Sequence, residues 1–216
     1  MTVQTTILDF AAARVAMVDS QLRPQGVNYA PVAEAMAAIP REQFVAEDVW
    51  PLAYSDRAVA IGDGRAMSSP TVLGLLLTEL APRAGERALV IGCGTGYSAA
   101  VLAEMGVEVV GLECSASLAA EARAKGIEVV EGPLAQGLNG RAPFDLILVD
   151  GAVDHLPQPL LDQLASNGRL AAALVDQGIS RLTLVRRAGD GFGMQTLGDH
   201  GAAPLPGFDR PKSFTF

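Results

Sequence analysis

Three glycines at alternate positions, Gly92, Gly94 and Gly96 in "IGCGTG", are the residues of this sequence best placed to build a binding site. They follow the apolar run "RALVIG" and open the run "YSAAVLAEMG", the strand-then-helix setting in which such a motif carries meaning. Glycine lets the backbone turn sharply and come close to a ligand. The helix start behind it offers free N–H groups and the positive end of a dipole. Glu113 ends the next apolar run, 21 residues after Gly92, and a carboxylate there suits the paired hydroxyls of a ribose. The residues alone also allow a second reading, a tight turn with no ligand and a solvated Glu113.

A second constellation is the junction "MSSP", where a glycine-bearing polar loop meets the apolar run from Thr71. Ser68 and Ser69 before Pro70 suit a helix start, since a serine side chain accepts a free backbone N–H and proline loses nothing in the first turn. A hydroxyl here could equally touch a substrate. Asp150, in "LVDGAV", ends another apolar run at the edge of a sheet where ligands bind; a cap on the following helix is the preferred reading, ahead of any chemical role. His155 and His200 are scattered and belong to no metal-ligand cluster or Ser-His-Asp set. Cys93 and Cys114 read as small apolar fillers rather than a redox pair.

The elements that must position these residues follow from periodicity. Ile7, Phe10, Ala11, Val15, Val18 and Leu22 recur at helical spacing and predict a first helix closed by Pro24 and Gly26; a second covers about 32–39 and ends at Pro40. Residues 41–67 read as irregular. From Arg87, strands alternate with helices: "RALVIG", "VEVVGLE", "IEVVEG", "PFDLILVDGA" and "GRLAAALV" as strands, with helices after the glycine turn, at "SASLAAEARAKG" (Ser115 as its N-cap) and at "PQPLLDQLAS". This grammar predicts an α/β fold with a doubly wound, mostly parallel sheet. "SRLTLVRRAGDGF" adds a closing antiparallel hairpin that turns at Gly189-Asp190-Gly191. One domain is expected, with residues 1–80 as a helical and loop cap, 81–200 as the core and 201–216 as an irregular tail, whose Phe208, Phe214 and Phe216 could pack back onto the domain.

The composition is globular, 50% hydrophobic and 19% charged, and the net charge of −8 argues against nucleic acid or anionic membranes as partners. The adjacent Arg186 and Arg187 read as a solvated strand end. No signal-like start or membrane-length apolar run is present, so a cytoplasmic location is expected.

"MVDSQLRPQGV" (17–27), "VAEAMAAIPREQFV" (32–45), "AYSDRAVAIGDGRAMSSP" (53–70), "IGCGTGYSAAVLAEMG" (91–106) and "APFDLILVDGA" (142–152) together resemble the protein-L-isoaspartate O-methyltransferase family, over about residues 14–187. The GxGxG spacing alone is similar to S-adenosylmethionine-dependent methyltransferases at large. The resemblance implies a Rossmann-like core and methyl transfer from S-adenosylmethionine, leaving S-adenosylhomocysteine, to the carboxylate of isoaspartyl residues in damaged peptides and proteins. It implies cofactor contacts at Gly92, Gly94, Gly96, Glu113, Gly132 and Asp150, a catalytic, substrate-touching Ser68, a substrate-side Ser69, and no metal. Three positions depart from the family pattern. Val90 replaces an acid before the glycine turn, Pro133 replaces an acid after the third strand, and Asp150 stands where small or neutral residues are usual. These departures keep two other readings open: a methyltransferase of the same fold with another acceptor, for which Asp150 could be a base, and a non-catalytic relative. Oligomeric state is not read from the sequence.

Overall fold

The computed structural model describes residues 9–210. The chain begins with α1 (Phe10–Met17), capped by the Asp9 carboxylate on Ala12 N. It runs on through a π-type turn (Val18–Leu22) and a 3-10 turn (Arg23–Gln25), and ends at Gly26 with φ +95°. Helix α2 (Ala30–Ala38) follows. The stretch expected to be irregular is instead ordered. It holds short 3-10 helices at Arg41–Phe44 and Glu47–Leu52, then a hairpin of β1 (Val59–Gly62) and β2 (Arg65–Met67). The hairpin escapes sequence reading because its strands are short and its turn, Gly62-Asp63-Gly64, needs three positive φ angles that only the glycines advertise. Helix α3 (Pro70–Leu80) starts directly after β2.

The core alternates as expected through β3 (Arg87–Ile91), α4 (Tyr97–Glu104), β4 (Glu108–Glu113), α5 (Ala116–Ala124), β5 (Val129–Glu131), β6 (Phe144–Val153), α6 (Gln158–Leu161) and β7 (Leu164–Asp176). The helix expected over "PQPLLDQLAS" shrinks to the one turn of α6, because the chain is already extended in β7 from Leu164. Strands β8 (Ile179–Ala188) and β9 (Gly191–Asp199) complete the sheet, in the order β5-β4-β3-β6-β7-β8-β9. The first four pairings are parallel and the last two antiparallel. The chain winds outward through β4 and β5, then crosses back to β6 on the other side of β3. The crevice at the C-terminal ends of β3 and β6 is therefore the switch point where such sheets hold ligands.

Both faces of the sheet are covered. Alternate residues of β3 point opposite ways: Ala88 and Val90 join the cluster built with α1, α2, α3 and α4, while Leu89 and Ile91 join the cluster of α6 and the tail. The tail is less irregular than expected. Ala152 N donates to Ala203 O (2.7 Å) and Leu205 N to Ala152 O (2.8 Å), and Leu205 and Phe208 are buried. Phe214 and Phe216, like Ile7 of the first helix, lie outside the described residues. Arg187 is not merely solvated: its guanidinium donates to the carbonyls of Asp162, Leu164 and Gly189. No helix of the described residues is long and apolar enough to cross a membrane.

Candidate active site

The glycine turn has the geometry its sequence requires. Gly92, Gly94 and Gly96 sit at φ +71°, +54° and +98°. Gly96 is the N-cap of α4, and Gly92 N donates to Leu112 O at 2.8 Å, tying the turn to β4. Thr95 Oγ1 donates to Phe44 O at 2.7 Å, and the Phe44 ring meets Tyr97 edge-on. The N-terminal segment is thereby pinned to the turn.

Glu113 ends β4 with no exposure to solvent. Its Oε2 accepts from Gly94 N (2.8 Å). Its Oε1 accepts from Cys114 N (2.9 Å), Ser115 N (3.1 Å) and Arg65 Nη1 (2.6 Å). Arg65 Nη2 also donates to Gly92 O at 3.0 Å. The solvated alternative for Glu113 is thus excluded. Gly132 lies beside it at the end of β5, with its N–H on Glu113 O (3.0 Å).

The serine junction divides its labour. Ser69 is the N-cap of α3, its Oγ accepting from Val72 N at 3.3 Å, and Pro70 opens the helix. Ser68 does not cap. Its hydroxyl, 2% exposed, donates to Asp150 Oδ1 at 2.6 Å across the crevice. Asp150 is consequently not the cap of α6, whose N-cap is Pro157; the strand runs three residues past the carboxylate to Val153, too far for capping. The adjacent α3 amide, Thr71 N, is met by Asp56 Oδ1 (3.0 Å).

Behind Ser68 lies a residue that motif reading missed. Arg41 is fully buried, with Nε on Ala53 O (2.6 Å), Nη2 on Ser68 O (2.5 Å) and its guanidinium over the Tyr97 ring at 4.8 Å. Burial pulls its pKa below the usual arginine value, opposed by Tyr97 and by the charge of Asp150. Arg41 Nη1 and Tyr97 Oη are buried without a hydrogen-bond partner among the described residues. The signal for Arg41 was its place in "PREQF", a lone cation between apolar runs. The signal for Arg65 was a cation inside the glycine-bearing loop before the serines.

The two histidines stand apart from this centre. His155 Nδ1 lies 3.0 Å from Phe208 O, and His200 borders a polar surface hollow with Asp56, Arg57 and Ser69. Cys93 is buried in the turn, and burial, with Glu113 and Asp150 nearby, pushes its thiol up to about 12. Cys114 is exposed.

Residues 13–200 match the model of the family described as protein-L-isoaspartate(D-aspartate) O-methyltransferase. The chain belongs to that family. The protein-L-isoaspartate O-methyltransferase of Gloeobacter violaceus is 41% identical over 184 residues, covering 82% of this chain and 90% of the relative. That of Methylorubrum extorquens is 39% identical over 204 residues, covering 91% and 90%. Among solved structures, a protein-L-isoaspartate O-methyltransferase superposes with a TM-score of 0.80 at 23% identity, over 90% of this chain and 67% of that one. A Plasmodium falciparum protein described as a putative member, in complex with S-adenosyl-L-homocysteine, gives 0.79 at 22% identity, over 90% and 98%. Within the family fold, Val90 is a fully buried core residue, and Pro133 is the N-cap of a 3-10 turn at Leu134–Gln136.

Proposed function

We propose that this member of the family methylates the α-carboxylate of isoaspartyl residues in peptides and proteins, with S-adenosylmethionine as donor. The observation that carries the reading is the convergence, at one sheet edge, of the glycine turn, the buried Glu113 and a Ser68 freed from capping by Ser69. The residues suit the cofactor chemically. Three glycines bare the backbone of the turn, and a carboxylate held by three amides stands at the ribose position. Gly92, Gly94, Gly96, Glu113 and Gly132 would hold it. When bound it supplies a methyl group already activated on a sulfonium.

The rest of the work is positioning. A carboxylate is ionised at neutral pH, with an ordinary pKa near 4, so its attack needs no strong base. Ser68 offers one hydroxyl proton to orient it. Arg41 fixes Ser68 through the backbone carbonyl and, with Nη1 unspent, sets a positive charge behind the arriving anion. The apolar packing around Phe44, Met67 and Tyr97 excludes water. Asp150 acts against the substrate's charge and holds the Ser68 proton until the substrate competes for it.

The test is methylation of an isoaspartyl peptide beside its aspartyl twin. Labelling of the isoaspartyl peptide alone is expected, and Ser68→Ala should lower turnover at least tenfold while changing S-adenosylhomocysteine affinity less than threefold. Equal labelling of both peptides would rule out the repair reaction. The second reading, a different acceptor, rests on the Asp150–Ser68 hydrogen bond; it predicts transfer to a hydroxyl-bearing acceptor that Asp150→Asn abolishes.

A further inference from the structure

The volume in front of the glycine turn is filled by the chain itself. A Cβ placed on Gly94 would lie 2.5 Å from Ile61 Cδ1, and one on Gly92 would lie 2.7 Å from Leu205 Cδ2 and 2.9 Å from Arg65 Nη2. Ile61 and Arg65 come from the β1–β2 hairpin, and Leu205 from the tail. The void left among Ile61, Met67, Gly94 and Asp150 is about 10 Å³. A single water needs about 10–15 Å³ of such space, and pockets for small ligands run to roughly 300 Å³ or more.

The electrostatics are closed as well. Glu113 already accepts five hydrogen bonds, four of them on Oε1, and the shortest comes from Arg65. A carboxylate oxygen offers about two acceptor sites, so Oε1 has no room for a ribose hydroxyl until Arg65 leaves, and Oε2, already bonded to Gly94 N, can take one further donor. The three amides are fixed in the backbone of the turn and of β4's end, whereas the guanidinium is on a side chain carried by a hairpin. A second, outer contact holds that hairpin. Asp63, at its tip, accepts from Ser115 Oγ and Ser117 Oγ (2.5 Å each) at the start of α5. These groups are solvent-exposed, so the contact is an easily released latch.

We propose that Arg65 is a built-in competitor of the cofactor: its guanidinium occupies the carboxylate that would read the ribose, and binding requires the β1–β2 hairpin to lift from the glycine turn. The inference rests on the reading of Glu113 as the ribose acid. It makes Arg65 a determinant of cofactor affinity, set by sequence at a position that touches no substrate.

The experiment pairs two measurements on the full-length protein. Calorimetric titration with S-adenosylhomocysteine reads affinity, and hydrogen exchange of the 92–96 segment without ligand reads the hairpin's cover. Arg65→Gln should bind at least tenfold tighter than the unaltered chain and exchange at least fivefold faster, with Arg65→Lys near the unaltered values in both. Asp63→Asn, a surface change that leaves Arg65 in place, should shift both in the same direction by a smaller factor, and it decides the matter if Arg65→Gln does not fold. Unchanged exchange and unchanged or weaker binding in these variants overturn the proposal while leaving the cofactor reading intact. Faster exchange with no binding up to millimolar ligand in any variant overturns the reading of Glu113, and the proposal with it.

Discussion

Asp150 and Ser68 face each other at 2.6 Å, both nearly buried, and the pair sets the charge that a substrate meets. An isoaspartyl carboxylate entering beside Ser68 meets a like charge. At an effective dielectric of about 20, two such charges about 4 Å apart repel by ~4 kcal/mol. Replacing Asp150 by Asn keeps a hydrogen-bond acceptor and removes the charge. The expected result is a KM for isoaspartyl peptide about tenfold lower, a change of ~1.4 kcal/mol, measured by steady-state kinetics; an unchanged KM would place Asp150 away from the bound anion. The thiols make a separate prediction. Cys114 is exposed, whereas Cys93 is buried with its thiol held near pKa 12. Burial and the neighbouring Glu113 carboxylate also raise the Cys114 thiol, so at pH 8 a thiolate-selective reagent should label one equivalent more slowly than a free thiol and the second only on unfolding. Rapid labelling of both would mean that the turn opens freely. The roles of Ser69 and Pro70 were legible in the sequence, because capping obeys local rules. That Ser68 pairs with Asp150 was not, since the partners are 82 positions apart and only the tertiary fold brings them together.

At the scale of elements, the parallel core declared itself because its strands are short, mostly apolar runs rich in β-branched residues, bounded by glycine or a helix start. The β1–β2 hairpin and the short α6 did not. A three-residue strand has too few alternations to read, and an apolar run such as "PLLDQL" fits a helix or a buried strand equally well. Helix α3 carries a test of the junction. Its first turn takes one bond from Ser69 Oγ and two from Asp56, which accepts from Thr71 N and Thr71 Oγ1. Ser69→Ala should cost ~1 kcal/mol and lower Tm by about 2–4 °C for a chain of this size, read by thermal unfolding. Because Ser69 is occupied by the cap, kcat should stay within about twofold; a large loss of kcat with unchanged Tm would move Ser69 to the substrate.

For the molecule as a whole, stability is shared between two apolar cores, one on each face of the sheet. The tail contributes to one of them. Phe208 is 2% exposed in the cluster of Leu89, Ile91, Val149 and Leu160. Phe208→Ala should therefore destabilise the protein by about 3–5 kcal/mol, measured by denaturant unfolding, and a loss below ~1 kcal/mol would mean that the tail is not docked in solution. The other core holds Arg41, whose bonds to Ala53 O and Ser68 O join the N-terminal segment to the crevice. Arg41→Met strands those carbonyls in the interior. It should lower stability by roughly 2–4 kcal/mol on the scale of buried unsatisfied groups and reduce turnover in parallel. Family membership was legible because its motifs are spread along the chain. The closure of the crevice was not, since Arg65, Ile61 and Leu205 are ordinary residues until the fold gathers them.

The hairpin lying across the glycine turn has a kinetic consequence. A groove that must open before it fills shows an apparent affinity reduced by the fraction of molecules already open. Its observed rate of complex formation does not rise without limit as ligand is added. Stopped-flow mixing with increasing S-adenosylhomocysteine should then reach a plateau equal to the opening rate of the hairpin, and that ceiling, rather than diffusion, would set how quickly each enzyme molecule is reloaded between turnovers.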